Sequence, residues 1–169
     1  MTAPVIRSLT RPTDLAAIAA FLAEEAADYY LLAEGAAPGP KAAEAFFTDC
    51  PPGCDPALSH RLGLFLGDRL AGLAELSFGF PTATDAYLGL MILSPAARGQ
   101  GLGRSFLTHV ETLARTAGSP RLYLAVLQAN PRGWAFWTRA GFQPTGVSRV
   151  DNEHGLNHVI HRLVKPLHP

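Results

Sequence analysis

The order of apolar and polar positions along the chain predicts seven strands and four helices. Short apolar or alternating runs bounded by glycine, proline and polar residues indicate strands, and apolar residues at three- and four-residue spacing indicate helices. Helices are predicted over residues 14–30, over 41–48, after Arg104 and over 130–140, the first opened by Pro12 and a Thr13 cap. The strands are predicted over residues 5–9, 62–66, 70–78, 87–93, 122–127, 143–150 and 158–164.

One segment in the middle of this order combines a strand, a glycine loop and a helix. Residues 88–93 form a nearly unbroken apolar run, which is typical of a central strand covered on both faces. Pro95 ends the run, because proline cannot donate to a strand ladder. Gly99, Gly101 and Gly103 follow at every second position, and an amphipathic helix begins after them.

Length, composition and charge indicate the number of domains and the partners to be expected. A chain of 169 residues with 48% hydrophobic and 17% charged residues predicts one folded domain, residues 1–169. Fourteen basic and fourteen acidic side chains give a net charge of zero, so neither nucleic acid nor an anionic membrane is an expected partner. Residues 1–22 lack a secretory pattern, and no apolar run is long enough for a membrane span, so we expect a cytoplasmic protein.

The glycine loop has the chemistry of a phosphate site. Glycines let the backbone turn sharply, and the first N–H groups of the following helix remain free to bind an anion. Arg98 and Arg104 add positive charge at the two ends of the loop. A dinucleotide fingerprint is excluded because its sixth position, counted from Gly99, is Arg104. A P-loop is excluded because no lysine lies between Lys41 and Lys165.

Two motifs resemble the GNAT family of N-acetyltransferases. The spacing Arg98-x-x-Gly101-x-Gly103 is similar to the acyl-CoA loop of that family, and Asn130 with the stretch 136–142 is similar to its second conserved segment. The predicted order of elements agrees over practically the whole chain. The resemblance implies an α/β fold of the α+β type in a single acyltransferase domain. Its mixed, mostly antiparallel sheet has six to seven strands and about four helices, and its central parallel fourth and fifth strands splay apart.

The resemblance also implies a cosubstrate, acetyl-CoA, and the residues that bind it. Backbone groups of residues 91–93 would bind the pantetheine arm and the thioester carbonyl, and N–H groups of residues 99–104 would bind the pyrophosphate. Asn130 would orient the pantetheine and cap the next helix, although a cap alone would also explain it. The complete expected set is Met91, Ile92, Leu93, Arg98, Gly99, Gln100, Gly101, Leu102, Gly103, Arg104, Asn130 and Trp137.

Trp137 is a departure from the family pattern. Many members have a tyrosine four residues before the glycine equivalent to Gly141, and that tyrosine protonates the departing thiolate. Indole donates only a very weakly acidic N–H, so we expect Trp137 to pack on the thioester end of the ligand without proton transfer. The resemblance therefore supports two functions. One is acetyl transfer from acetyl-CoA to a primary amine in a ternary complex, and the alternative is a non-catalytic acyl-CoA-binding sensor or interaction module.

Glu75 is the predicted catalytic residue, because it interrupts an apolar strand that would lie beside the central strand. It would act as a base, act through water or anchor a cationic substrate. A solvent-facing carboxylate or one paired with an arginine is the competing interpretation. Tyr30 is the predicted acceptor-binding residue, with core packing as its alternative. In the family, the first helices and the last hairpin shape the acceptor pocket, here residues 29–40 and 151–157.

The sequence predicts the chemical class of the acceptor, but neither its identity nor the oligomeric state of the protein. The acceptor is expected to be a small-molecule or peptide amine, and acidic residues near the loops suit a cationic one. Cys50 and Cys54 lie in a proline-rich loop without a second ligand pair, so reduced thiols and no metal are expected. Homodimers are common in the family, and nothing in these residues specifies one.

Overall fold

A computed structural model describes residues 2–168 of the chain. Within this range the chain forms seven strands and five α-helices, with short 3₁₀ turns at Pro56–Leu58 and Pro95–Ala97. The strands are β1 Pro4–Ser8, β2 His60–Leu66, β3 Arg69–Phe78, β4 Ala86–Leu93, β5 Arg121–Leu127, β6 Gln143–Asp151 and β7 His158–Pro166. The helices are α1 Arg11–Glu24, α2 Ala27–Glu34, α3 Ala42–Thr48, α4 Leu102–Thr116 and α5 Pro131–Arg139.

The strands form one mixed sheet in the order β1-β2-β3-β4-β5-β7-β6. Only β4 and β5 are parallel, and they pair only from Ala86 to Leu88, opposite residues 122–124. Beyond Leu88 the two strands separate, which confirms the predicted splayed pair. Gly89 is an extra residue in β4 at this point, because Glu75 faces Leu90 while the next residue of β3 faces Leu88. The backbone of β4 from Gly89 onward is therefore not paired to β5.

The predicted first helix, residues 14–30, is wrong in its bounds and in its cap. Thr10 rather than Thr13 is the N-cap residue, and the helix ends at Glu24. Ala26 donates its N–H to Phe21 O at 3.1 Å, and a second helix then begins at Ala27. This break makes five helices where about four were expected.

The core consists of two apolar clusters on opposite faces of the sheet. Consecutive residues Leu73 and Ala74 of β3 belong to different clusters, as the alternation of a strand requires. Ile18 of α1 and Phe46 of α3 pack on one face, and Phe106 of α4 is fully buried on the other. None of the helices within residues 2–168 combines the length and the apolar content that a membrane crossing needs.

Candidate active site

The separation of β4 and β5 opens a cleft of about 1040 Å³, called the β4–β5 cleft below. It is lined by the parts of β4 and β5 that do not pair with each other, by the glycine loop and by α5, and Asp28 and Tyr29 of α2 border it. Ten predicted cosubstrate residues line it: Met91, Ile92, Leu93, Arg98, Gly99, Gly101, Gly103, Arg104, Asn130 and Trp137.

The side chains of the two remaining predicted residues are engaged elsewhere. The Gln100 amide donates to Ala96 O at 2.7 Å, and the Leu102 side chain packs against the core under α4. Their backbone N–H groups are thus the part of these residues that a loop ligand can use.

The glycines of the loop serve two different purposes. Gly99 and Gly101 have φ angles of +73° and +79°, which L side chains rarely adopt, and a Cβ atom at either position would meet nothing within 4 Å. A Cβ atom at Gly103 would instead lie 3.1 Å from Phe136, so this glycine permits close packing. Helix α4 begins at Leu102, and the Ser105 N–H bonds to Gly101 O at 3.1 Å. The N–H groups that precede Ser105 in the helix lie at its positive end.

Arg98 is paired with an acidic residue of α2. Its Nη1 lies 2.6 Å from Asp28 Oδ2, its Nη2 lies 3.3 Å from Oδ1, and its Nε donates to Leu93 O at 3.2 Å. The hydrogen bonds from Arg98 hold the pKa of the Asp28 carboxyl below its ordinary value. The break before α2 therefore places a carboxylate beside the glycine loop, where sequence reasoning expected only positive charge.

Helix α5 brings Asn130 and Trp137 to the cleft. Asn130 is the N-cap residue, and its Oδ1 accepts the Gly133 N–H at 2.9 Å, so the cap is present and the pantetheine role stays a prediction. The Trp137 ring packs edge-on against Phe136 and Phe142, with centroids 4.8 Å and 5.4 Å away. Trp137 is thus held by aromatic packing at the cleft wall.

A second cavity of about 630 Å³, called the α2–α3 cavity below, lies against the same part of β4. It shares Tyr29, Gly89 and Leu90 with the β4–β5 cleft. Tyr30 and Glu75 both line it, so the structure brings the two predicted acceptor-side residues together.

The last hairpin contributes less to this cavity than the family pattern suggested. Within the described chain, residues 151–157 line neither the cleft nor the α2–α3 cavity. The hairpin reaches α2 instead. His154 Nε2 lies 3.9 Å from Glu34 Oε1, and a ring nitrogen of His158 lies 2.8 Å from Leu32 O. It therefore supports the helix that borders both spaces.

The Glu75 carboxylate of β3 is buried, with 6% of the residue exposed. The Ser77 hydroxyl donates to Oε1, and Arg61 Nη1 lies 3.9 Å from the same oxygen. Oε2 occupies the space that a Cβ atom at Gly89 would need. Burial raises the pKa of Glu75, and Ser77 and Arg61 offset part of that rise. The solvent-facing interpretation of Glu75 is wrong, whereas the interpretation as a carboxylate paired with an arginine agrees with the contact to Arg61.

Sequence reasoning missed three residues that shape this site: Arg61, Ser77 and Gly89. Arg61 directly precedes an apolar strand, where a charged residue ordinarily faces solvent, yet its side chain is only 6% exposed. Gly89 interrupts the apolar run of β4, and this interruption was the one signal in the sequence for close approach of another group. Ser77 carried no signal, because serine is ordinary near the end of a strand.

Comparisons with known proteins point to one family. The model of the acetyltransferase (GNAT) family matches residues 18–142. The peptidyl-lysine N-acetyltransferase YjaB of Salmonella typhimurium is 34% identical over 74 residues, which is 44% of this chain and 48% of that protein. The mycothiol acetyltransferase of Jonesia denitrificans is 42% identical over 77 residues, which is 45% of this chain and 24% of that protein. The matched region thus spans about half of the first relative and a quarter of the second.

Solved structures share the fold over almost the entire chain. An acetyltransferase from Thermus thermophilus superposes with a TM-score of 0.74 at 25% identity, covering 99% of this chain and 98% of its own. The PaiA N-acetyltransferase of Thermoplasma acidophilum, solved in complex with coenzyme A, gives 0.64 at 20% identity, covering 98% and 99%. Since the family model covers well over half of the sequence, this chain belongs to the acetyltransferase (GNAT) family.

Proposed function

We propose that this protein transfers the acetyl group of acetyl-CoA to a primary amine of a small molecule or peptide, directly within a ternary complex. The observation that carries the proposal is the pair of spaces on β4. The β4–β5 cleft and the α2–α3 cavity share Gly89 and Leu90, and the Glu75 carboxylate lines the α2–α3 cavity beside Gly89. One ligand on each side of this point would bring an acyl donor and an amine together.

The cleft has features that suit acetyl-CoA. The N–H groups at the start of α4, together with Arg104, would hold the pyrophosphate. Residues 91–93 pair with β3 but not with β5, and their backbone groups on the β5 side would bind the amide groups of the pantetheine arm and polarise the thioester carbonyl. When bound, acetyl-CoA supplies an acyl carbon with a thiol leaving group. The name of the YjaB relative, a peptidyl-lysine N-acetyltransferase, supports transfer to an amine nitrogen.

Glu75 would receive the proton that the amine loses. An amine attacks only as the neutral base, so the ammonium group first loses one proton to solvent, and Glu75 takes the second proton as the amide forms. The buried carboxylate, with its raised pKa, accepts a proton directly or through water. Trp137 gives up no proton, so the sulfur that leaves takes its proton from solvent. Tyr30 would form part of the acceptor wall beside Glu75.

Trp137 is the one residue that favours a second function, acyl-CoA binding without turnover. If transfer in this fold requires a phenol at this position, the chain is an acyl-CoA-binding sensor or interaction module without turnover. Such a module would keep the glycine loop and the cleft, and would bind acetyl-CoA equally well. The two functions therefore differ in amine-dependent turnover and not in binding.

Release of the CoA thiol from acetyl-CoA, followed with pooled polyamines, amino acids, aminoglycosides and peptides, distinguishes these functions. Gly101→Glu should abolish release, because an anionic side chain would occupy the phosphate site. Gly118→Glu is the matched control, since Gly118 also has a positive φ, +82°, and open space around its Cα, but lies beyond the opposite end of α4. Transfer is supported if thiol release requires one of the pools, persists in Gly118→Glu and is lost in Gly101→Glu. Binding of acetyl-CoA without release from any pool supports the non-catalytic module.

A further inference from the structure

The two oxygens of the Glu75 carboxylate have different surroundings. Oε1 accepts a hydrogen bond from the Ser77 hydroxyl. Oε2 lies beside Gly89, a residue that lines both the β4–β5 cleft and the α2–α3 cavity, and no residue among 2–168 donates to it. Within the same residues, enclosed side-chain atoms without a partner occur in Arg61 and Ser94 but not in Glu75, so Oε2 keeps surface that a ligand or water can reach. Oε2 is therefore the oxygen that is free to take a proton.

A second serine continues the hydrogen bonding behind Oε1. The Oγ atoms of Ser59 and Ser77 lie 2.7 Å apart. A serine hydroxyl has one hydrogen, and Ser77 gives it to Oε1, because an ionised carboxylate can only accept. Ser59 must therefore donate to Ser77. In the resulting Ser59–Ser77–Glu75 chain each hydroxyl donates toward the carboxylate, and hydrogen bonds in such a series strengthen one another.

The pairing of β2 with β3 brings the two serines together. Ser77 lies two residues after Glu75 on β3, so the two side chains are on the same face of the strand, and Ser77 is fully buried. Ser59 is half-buried and directly precedes β2, whose first residue, His60, pairs with Leu76. The register of these strands thus determines the hydrogen-bonded chain.

Ionisable groups of four neighbouring segments interact with Glu75 through charge, and none of them within the described residues donates a hydrogen bond to it. These groups are Arg61 of β2, Asp49 after α3, Cys54 in the following loop and Tyr87 of β4. Nη1 of Arg61 lies 3.9 Å from Oε1 and gives its two hydrogens to main-chain carbonyls instead. Ser77 is thus the group that fixes the rotation of the carboxylate. Its hydrogen bond lowers the pKa of Glu75 and offsets part of the rise that burial causes.

We propose that Ser77 and Ser59 are positioning residues, which hold the Glu75 carboxylate by Oε1 so that Oε2 faces the reacting amine. This inference rests on the proposed acetyl transfer. As the amide forms, the N–H bond of the amine breaks and an O–H bond forms at Oε2, while both serine hydroxyls keep their protons. Neither serine lines the cleft or the cavity, so each acts only through Glu75.

The pH dependence of kcat, followed by thiol release with an active amine, tests this assignment. Ser77→Ala removes the donor to the ionised carboxylate, so the pKa of Glu75 should rise. Since the ionised form accepts the proton, the acid limb of the kcat profile should move to higher pH by about one unit. At neutral pH, kcat should fall about tenfold, because the carboxylate is no longer held in one rotation. Ser59→Ala leaves the Ser77 donor in place and should move the limb in the same direction by about 0.3 unit.

Two controls separate positioning from a general effect on the core. Ser94 is also fully buried, but its Oγ has no hydrogen-bond partner within residues 2–168. Ser94→Ala therefore removes the same hydroxyl from the core and should leave the pH profile unchanged. The second control adds Ser77→Ala to Glu75→Gln. The added substitution should lower kcat no further, because Ser77 acts only through the carboxylate.

The outcomes separate this inference from the proposed function. An acid limb that stays in place in Ser77→Ala, with normal thiol release, would overturn the positioning role and leave acetyl transfer intact. A further fall in kcat when Ser77→Ala is added to Glu75→Gln would overturn it as well. Absence of amine-dependent release from the unaltered protein would instead overturn the proposed function. If Ser77→Ala does not fold, Ser59→Ala, at a half-buried position, decides by the presence or absence of its shift.

Discussion

Gly101→Ala tests the glycine loop without adding bulk or charge. Gly101 precedes α4 with φ +79° and ψ 0°, and an added Cβ atom would meet nothing within 4 Å. The substitution therefore acts through the backbone. An L side chain in the left-handed region costs about 1–2 kcal/mol, and the loop relieves that strain by moving toward negative φ. Such a movement redirects the N–H groups at the start of α4.

Gly118→Ala carries the same strain at a different place. Gly118 has φ +82°, has open space around its Cα and follows the far end of the 15-residue helix α4. Both variants should lower the free energy of unfolding, measured by chemical denaturation, by about 1–2 kcal/mol. Gly101→Ala should in addition weaken acetyl-CoA binding about tenfold, which corresponds to about 1.4 kcal/mol. Isothermal titration gives that affinity.

Equal affinities for acetyl-CoA in Gly101→Ala and Gly118→Ala would contradict a role of the glycine loop in binding. In that case the conformation of the loop would not matter for the ligand, and the N–H groups of α4 would not bind the pyrophosphate. A loss of affinity in both variants would instead indicate a general effect of lower stability.

Four further predictions concern the cleft and the carboxylates around it. Glu75→Gln should lower kcat at neutral pH at least about a hundredfold while acetyl-CoA affinity, measured by titration, is unchanged. Because burial raises the pKa of Glu75, kcat of the unaltered protein should fall as pH drops through a value above the ordinary glutamate pKa, and a flat profile would contradict this. Trp137→Phe should change the single-turnover rate by no more than about threefold, because Trp137 contributes ring packing and donates no proton. A large fall in that rate with unchanged acetyl-CoA affinity would argue against this role. Asp28→Asn should tighten acetyl-CoA binding a few-fold in titrations, because the carboxylate 2.6 Å from Arg98 competes with phosphate for that guanidinium; weaker binding would contradict it.

The sequence predicted the parts of the fold that local physics determines. The apolar run of β4 and the glycine loop were predictable because buried strands and positive φ angles restrict residue type strongly. The break between α1 and α2 was not, because alanine-rich residues 26–27 favour a continuous helix. Next to the break, α2 contacts residues that are distant in the sequence, as in the ion pair of Asp28 with Arg98.

Some residues of the candidate site were likewise predictable from the sequence, and others were not. Glu75 was predictable as a charge within an apolar strand, and its burial agrees with that reasoning. Arg61 was not, because its partners are the carbonyls of Phe46 and Asp49 in a different element, and a residue at the start of a strand gives no sign of them. Glu75 and Gly89 lie close together because of the register between β3 and β4, and residue patterns alone do not determine that register.

Identification of the acetylated product shows whether this protein transfers an acetyl group to an amine. The protein is incubated with acetyl-CoA and an active acceptor, and the acceptor is analysed by mass spectrometry beside the Glu75→Gln variant. We expect one acetyl group on the amine nitrogen for each CoA thiol released, with at least about a hundredfold less product from the variant. Tight binding of acetyl-CoA with no acetylated amine, or equal product from both proteins, would contradict it.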